Sequence, residues 1–312
     1  MSALPTAAEV LAGVDLTGRT ALVTGGYSGI GVEVVRALAG AGATVLVPAR
    51  RPGKATDAVA GIDGVEVGAL DLADQASVAS YADGLLAAGR PLDVVIGNAG
   101  VMACPQTRVG PGWELQLATN HLGHFALVNR LAPLLGAGSR VVSVSSTGHH
   151  LSGFRWDDPW FETGYDKWLA YGQSKTANVL FAVHLAALGR ERGVSAFSLH
   201  PGAILTSLGR HLQESDLDAV MTLDADGQPV LPDFRSPEQG AATVVWAATS
   251  PSLAAHSGAY LEDCGIAPVV PPGPQTTYGV KDYALDPNDA ARLWAWSVEQ
   301  TGVDGFGDGA AG

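Results

Sequence analysis

The chain has 312 residues, 47% of them hydrophobic and 16% charged, a composition that builds a large core and excludes an intrinsically disordered chain. Its formal net charge of −13 argues against nucleic acid and anionic membrane as partners, since both are bound through basic surfaces. Cys104 and Cys264, the two cysteines, form neither a disulfide framework nor a zinc-type spacing, which fits a reducing cytoplasm.

The stretch from Met1 to Leu16 lacks a basic region before an apolar run, and no apolar stretch approaches the roughly 20 residues that cross a bilayer. A cytoplasmic location follows as the expectation. In chain order, Arg19 to Val23 predicts a strand and Gly29 to Gly40 a helix with Ile30, Val34, Val35 and Leu38 on one face. Thr44 to Val47 predicts the second strand, Lys54 to Ala60 a weak helix, and Val65 to Leu70 the third strand. Gln75 to Ala88 predicts a helix, Leu92 to Ile96 a strand, and Trp113 to Leu135 one long helix. The strand Arg140 to Val144, a helix from Trp168 to Arg192 and the strand Val194 to Leu199 follow, then a helix over Pro237 to Thr249 and a short strand at Ala259 to Leu261.

Apolar strands separated by amphipathic helices predict an α/β domain over residues 1–301, a doubly wound parallel sheet covered on both faces. Asp, Gln and Pro cluster between Thr206 and Ser236, which reads as an inserted substrate lobe or lid over 205–235. The Gly-rich stretch 302–312 reads as a flexible tail.

Thr24-Gly25-Gly26-Tyr27-Ser28-Gly29-Ile30-Gly31 joins the first strand to the first helix. Side chains at Gly25, Gly29 and Gly31 would hold a pyrophosphate off the backbone, and the helix start supplies free N–H groups to the phosphates. After the second strand comes Pro48-Ala49-Arg50-Arg51, with no acidic residue to hydrogen-bond the adenosine ribose. Arg50 there favours the extra phosphate of NADP over NAD, while Arg51 reads equally as a surface residue. Asp71, followed by Leu72, is placed to accept from the adenine amino group or to cap the next helix, a role that suits Asp74 better. Gly97-Asn98-Ala99-Gly100 follows the fourth strand at the carboxyl edge, where ligands bind in such sheets.

Tyr171 and Lys175 stand i, i+4 and share a helix face. A phenol of pKa roughly 10 needs a nearby cation to act at neutral pH, and Lys175 supplies one. Ser145 and Ser146 end a strand at the carboxyl edge; Ser146 has the better spacing for holding a substrate oxygen, although adjacent serines there also cap helices. Asn120 lies in the predicted middle helix, where a buried amide needs a use, and a water relaying protons to Lys175 is one. His121 and His124 at i, i+3 lack a ligand set for metal, so they read as packing or hydrogen-bonding residues, as do His149, His150 and His200. No metal is expected.

This set resembles the short-chain dehydrogenase/reductase family from about Arg19 to Leu261, and within it the retinol-dehydrogenase and WW-domain-oxidoreductase branch. The branch resemblance is carried by Trp113 to Phe125, by Ser198 to Leu208, by Ser257 to Ala267 and by the 25-residue interval from Ser146 to Tyr171. Tyr27, where Asn or Ala is frequent, and Gly97, where another Asn is usual, depart from the pattern. The resemblance implies a Rossmann fold, an Asn120–Ser146–Tyr171–Lys175 tetrad and hydride transfer to or from the cofactor, NADP or NAD. It further implies that Lys175 binds the nicotinamide ribose and that Pro201, Gly202 and Thr206 contact the nicotinamide end. It leaves a homo-oligomer open.

The insert Gly148 to Leu169 carries Phe154, Trp156, Trp160, Phe161, Tyr165 and Trp168. These either line a cavity for a lipophilic alcohol or ketone or anchor the insert to the core. Two other functions compete with a small-molecule oxidoreductase. One is a silent NAD(P)-binding sensor or scaffold, although this chain keeps all four tetrad residues. The other is a sugar-nucleotide epimerase, against which the glycine spacing and the lack of a substantial C-terminal substrate domain both weigh.

Overall fold

Period-two alternation with both faces apolar shapes the centre of the molecule. The structure, a computed structural model, describes residues 4–204, 222–223, 229–230, 234–271, 276 and 278–307. In chain order it has α1 (Ala7–Val10), β1 (Thr20–Val23), α2 (Ile30–Gly40), β2 (Thr44–Ala49), α3 (Pro52–Ala58), β3 (Val65–Ala69), α4 (Gln75–Ala88) and β4 (Val94–Gly97). The hairpin of β5 (Arg108–Val109) and β6 (Trp113–Glu114) leads into α5 (Leu115–Leu117), a π-turn (Ala118–Leu122) and α6 (Gly123–Arg130). Then come β7 (Arg140–Val144), α7 (Lys167–Leu188), β8 (Ser195–Leu199), β9 (Ala203–Ile204), β10 (Thr222–Leu223), β11 (Pro229–Val230) and β12 (Phe234–Arg235). The chain continues through α8 (Pro237–Thr249), β13 (Tyr260–Glu262), β14 (Gly265–Ile266), β15 (Val269–Val270), β16 (Val280–Lys281) and α9 (Pro287–Thr301).

The main sheet runs β14-β13-β8-β7-β4-β1-β2-β3. Ala21, Val23, Val45, Val47, Val94, Ile96, Val142 and Val144 point to one face, into a core with Val34, Val35 and Leu38 of α2 and Val244 and Val245 of α8. Leu22, Leu46, Val95 and Val141 point to the other, onto Val78 of α4, Phe125 and Leu127 of α6 and Phe181 and Leu185 of α7. β1 pairs in parallel with β2 on one side and β4 on the other, so the strand order reverses between β1 and β4. That crevice is where an open α/β sheet binds its ligand.

The expected doubly wound fold is present, with differences at its edges. The sheet is parallel except for β14, which returns antiparallel to β13. Asp263 and Cys264 between them both adopt positive φ, 49° and 54°, the backbone that a tight two-residue hairpin requires. The single helix expected over Trp113 to Leu135 is broken. Its start is strand β6, Glu114 caps the following turn through the Gln116 and Leu117 N–H groups, and the π-turn holds Asn120.

The pattern reading missed α9. Its marks lay at its ends, Asp286 as cap, Pro287 in the first turn and Gly302 in left-handed conformation. Residues 302–307, expected to fray, are pinned instead: the Gly305 N–H donates to Asn129 and buried Phe306 meets Trp294. The lobe expected over 205–235 lies mostly outside the described residues; at its end β12 pairs in parallel with β9. No helix among the described residues is long and apolar enough to cross a membrane.

Trp294 of α9 stacks on Phe181 and meets Phe125 edge-on at 4.9 Å, which joins the C-terminal helix to the main core. Trp294→Ala is expected to cost about 3–5 kcal/mol through lost burial and a residual cavity. A lowered urea midpoint at constant slope checks this.

Candidate active site

The turn after β1 is built by close approach of backbones. Gly25 and Gly29 hold positive φ, 65° and 53°, and a Cβ on Gly31 would stand 2.2 Å from the Gly25 carbonyl oxygen. α2 therefore starts against the turn, with Gly29 as its cap and no side chain bonded to its first N–H groups. Such a cradle fits a dinucleotide pyrophosphate. Ser28 joins the turn through its backbone, donating to Gly25 and accepting from Gly31, while Tyr27 and Ile30 pack on the core beneath.

Arg50 and Arg51 follow β2, and both are exposed. Asp71 Oδ1 accepts the Ala73 N–H at 3.0 Å, and Asp74 caps α4 through the Ala76 N–H. Leu72 is buried, its carbonyl so near Gly123 that a Cβ there would stand 2.2 Å away. Asn98 Nδ2 donates to the Thr24 carbonyl at 2.9 Å, and the Asn98 and Ala99 N–H groups both donate to Thr24 Oγ1 at 3.0 Å. The end of β4 is thereby sewn to the end of β1. Pro201 is buried, and Gly202, at φ 95°, lies under the Arg235 side chain. Thr206 lies outside the described residues.

The four residues assigned to the tetrad meet at the carboxyl edge. α7 carries Tyr171 and Lys175 on its buried side. Burial pushes the Tyr171 phenol up to about 12, and a hydrogen bond with the Ser146 hydroxyl draws it down. Lys175 Nζ donates to the Val144 carbonyl at 2.9 Å and lies 5.6 Å from the centre of the Tyr171 ring; burial brings it down to about 8. The two serines differ in work: Ser145 Oγ donates to the Lys175 carbonyl, whereas Ser146 caps the turn Thr147–Leu151 and faces Tyr171. Gly100 lies between Asn120 and Lys175, its Cβ position 3.2 Å from Asn120 Oδ1 and 3.7 Å from Nζ.

The Asn120 amide is bonded within the protein. Nδ2 donates to the Val101 carbonyl and to Ser174 Oγ, and Oδ1 accepts the Val101 N–H at 2.8 Å. A buried amide is satisfied here by the loop after β4 and by α7, so Asn120 clamps that loop to the helix bearing Tyr171.

His149 and His121 are hydrogen-bonding residues, as expected, whereas Gly148 carried no signal in the sequence. His149 donates from Nδ1 to the Ser146 carbonyl at 2.6 Å and accepts the Lys281 N–H. Burial pushes His149 down to about 3, so the ring is neutral and this donor–acceptor assignment is self-consistent. Gly148 lies against the Tyr171 ring, its Cβ position 2.6 Å from Cε1. His121 bonds Ser297 of α9 at 2.8 Å. Among the described residues no group of three His, Cys, Asp or Glu side chains could hold a metal.

The aromatic insert anchors. Trp160 stacks on Trp113 at 5.8 Å and meets Trp296 of α9 at 5.2 Å, while Phe154 packs on Trp156 and Trp296. Arg108 of the hairpin donates to the Trp160 and Phe161 carbonyls. Tyr165 Oη donates to the Cys104 carbonyl at 2.8 Å.

The model of the family described as short chain dehydrogenase matches residues 19–217, and the chain belongs to that family. A "Probable oxidoreductase" of Streptomyces lividans is 47% identical over 296 residues, 92% of this chain and 98% of the relative. Human "Retinol dehydrogenase 12" is 36% identical, over 93% of this chain and 88% of the relative. Among solved structures, the NADP active-site complex of Pseudomonas aeruginosa RhlG superposes with a TM-score of 0.60 at 25% identity, covering 79% of this chain and 95% of that one. The chain is a nicotinamide-dependent oxidoreductase of the retinol-dehydrogenase-like branch.

Gly148→Ala is expected to push the Tyr171 ring out of place, since a methyl there meets ring carbons at 2.6 and 2.9 Å. Displacement on this scale costs on the order of 100-fold in turnover. Steady-state kinetics beside a cofactor titration checks it, with kcat falling and NADPH affinity kept.

Proposed function

We propose that the protein interconverts a lipophilic alcohol and its carbonyl compound, with Tyr171 as the proton donor and acceptor and NADP as the preferred cofactor. One observation carries the reading: a buried phenol facing the Ser146 hydroxyl, beside a buried ammonium that donates to a neutral carbonyl. When bound, the cofactor supplies the hydride for reduction or takes it in oxidation.

The rest is done by side chains. Ser146 holds the substrate oxygen in line with the phenol. Tyr171, a phenol neutral at pH 7 and pushed further up by burial, gives its proton to the developing alkoxide. Lys175 stabilises the phenolate that results, and its remaining N–H donors are available to a ribose hydroxyl. Asn120 fixes the loop against which the ring of the nicotinamide would lie. Lipophilicity of the substrate is supported by likeness to a retinol dehydrogenase, since the insert aromatics spend their faces on one another.

Tyr171→Phe is expected to lower carbonyl reduction at least ~1,000-fold while leaving NADPH affinity within about 3-fold, because it deletes the transferred proton and keeps the ring. In the wild type, Lys175 is charged below about 8 and loses its charge above. Reduction should therefore be level at lower pH and fall as pH rises through about 8. Activity that survives the tyrosine change, or that climbs through this range, contradicts the assignment.

NADP preference rests on Arg50, exposed after β2 with no acidic neighbour in Pro48-Ala49-Arg50-Arg51. A charge-assisted bond to a 2′-phosphate contributes roughly 1.5–3 kcal/mol. Arg50→Asp is expected to weaken NADPH binding at least ~10-fold and to leave NADH binding nearly unchanged, as read by fluorescence titration.

A further inference from the structure

We propose that His124 is a positioning residue that couples the cofactor-binding turn to Asn120 through one fixed tautomer. The inference rests on the reading of these segments as the active site.

A carbonyl oxygen only accepts. His124 Nδ1 lies 2.9 Å from the Asn120 carbonyl, so Nδ1 carries a proton. The ring is buried, and desolvation, with the nearby Lys175 charge adding to it, pushes it down to about 4. A neutral ring protonated at Nδ1 leaves Nε2 bare. The Thr24 hydroxyl, 2.8 Å from Nε2, then donates to it in preference to the Ile96 carbonyl, which lies farther off at 3.3 Å. Thr24 Oγ1 in turn accepts the Asn98 and Ala99 N–H groups.

Every proton in this chain is thereby assigned. It runs from Asn98 and Ala99 at the end of β4, through Thr24 at the start of the glycine-rich turn, to His124 and the Asn120 carbonyl in the π-turn. Reversing it, with Nε2 donating to Thr24 and Thr24 to the Ile96 carbonyl, would leave a bare Nδ1 facing the Asn120 carbonyl, acceptor against acceptor. The site also has room only for a flat ring over a bare backbone: a Cβ on Gly97 would stand 3.2 Å from His124 Cδ2. Around the ring the titratable neighbours are Lys175 and His121, and neither offers the negative charge that would protonate it.

Three elements meet at this imidazole, so its loss loosens two functions together. His124→Leu keeps an apolar filler and removes both bonds. It is expected to raise the NADPH Kd and to lower kcat, each by about 10-fold. His124→Gln, whose amide can accept from Thr24, is expected to recover most of the NADPH affinity. A residue that merely fills space gives the opposite order, with Leu equal to or better than Gln. Thr24→Val combined with His124→Leu should weaken NADPH binding by less than the sum of the two single losses, because the Thr24–His124 bond is shared; fully additive losses would overturn the coupling.

The direct test needs no substrate. In 15N-resolved imidazole spectra of the wild-type protein, the His124 ring, assigned by its absence in the Gln variant, should show the neutral form protonated at Nδ1. It should not titrate between about pH 5 and 8. An Nε2-protonated or charged ring overturns the proposal even if the Leu variant fails to fold. If no carbonyl compound is ever reduced, the function falls, while the spectra and the NADPH titrations still decide on His124.

Discussion

The site depends on an ammonium held inside the protein without a carboxylate. Lys175 is 4% exposed and spends a donor on the Val144 carbonyl. Desolvation at this depth lowers an amine by units of pKa, and Lys175 falls to about 8. A salt bridge would have restored the usual value and cancelled the field. With a carbonyl as partner the charge persists at neutral pH and remains available to the phenol beside it. α7 makes this tolerable, since its neighbours are nearly all buried and the end of β7 supplies the Val144 carbonyl, which also accepts from Asn178 Nδ2. The sheet holds the cation in place, 5.6 Å from the centre of the Tyr171 ring.

Close approach is the second requirement, and glycine meets it at each contact. Gly31 against Gly25, Gly123 against Leu72 and Gly148 against Tyr171 are places where a methyl would enter another atom's radius. These approaches bring the cofactor turn, the loop after β3 and the phenol to one crevice. Positive φ matters at Gly25 and Gly29, where the turn bends back on itself; at Gly31 and Gly148 the demand is volume alone. The first kind of glycine shows in a sequence as a turn signal. The second kind does not, because nothing local distinguishes it from a small helix residue.

That difference explains what could be read beforehand. The strands of the sheet, the turn from Thr24 to Gly31 and the tetrad spacing were legible because each is a local period or a fixed interval. The helix Gln75–Ala88 ends where its pattern does, with Asp74 and Gly89 as caps. Trp113 to Leu135 misled because its apolar period runs on through a hairpin and a π-turn, whose geometry is set by contacts from Leu72 and Val101 far along the chain. Residues 287–301 hid for a related reason: Trp294 completes a core with Phe125 and Phe181, and Leu293 another with Leu117, Phe154 and Leu180. The insert aromatics were open between cavity and anchor, and partners at Trp113 and Trp296 decided for the contacts that are formed. The family resemblance supplied the roles; it could not supply the partners of the Asn120 amide.

Neutral imidazoles complete the electrostatic design. His121, His124, His149 and His200 are all pushed down by burial, to about 3, 4, 3 and 3. A histidine is the usual proton carrier near pH 7, yet around this site each ring is held out of that range. His124 and His149 are used as oriented dipoles: each gives an Nδ1 proton to a backbone carbonyl of the tetrad, at Asn120 and at Ser146, and takes a bond at Nε2. If either were charged, it would add repulsion, His124 against Lys175 and His149 against Lys281, and break its own acceptor bond. Keeping the rings neutral therefore serves geometry and chemistry at once. It fixes two backbone carbonyls, those of Asn120 and Ser146, beside Tyr171 and Lys175.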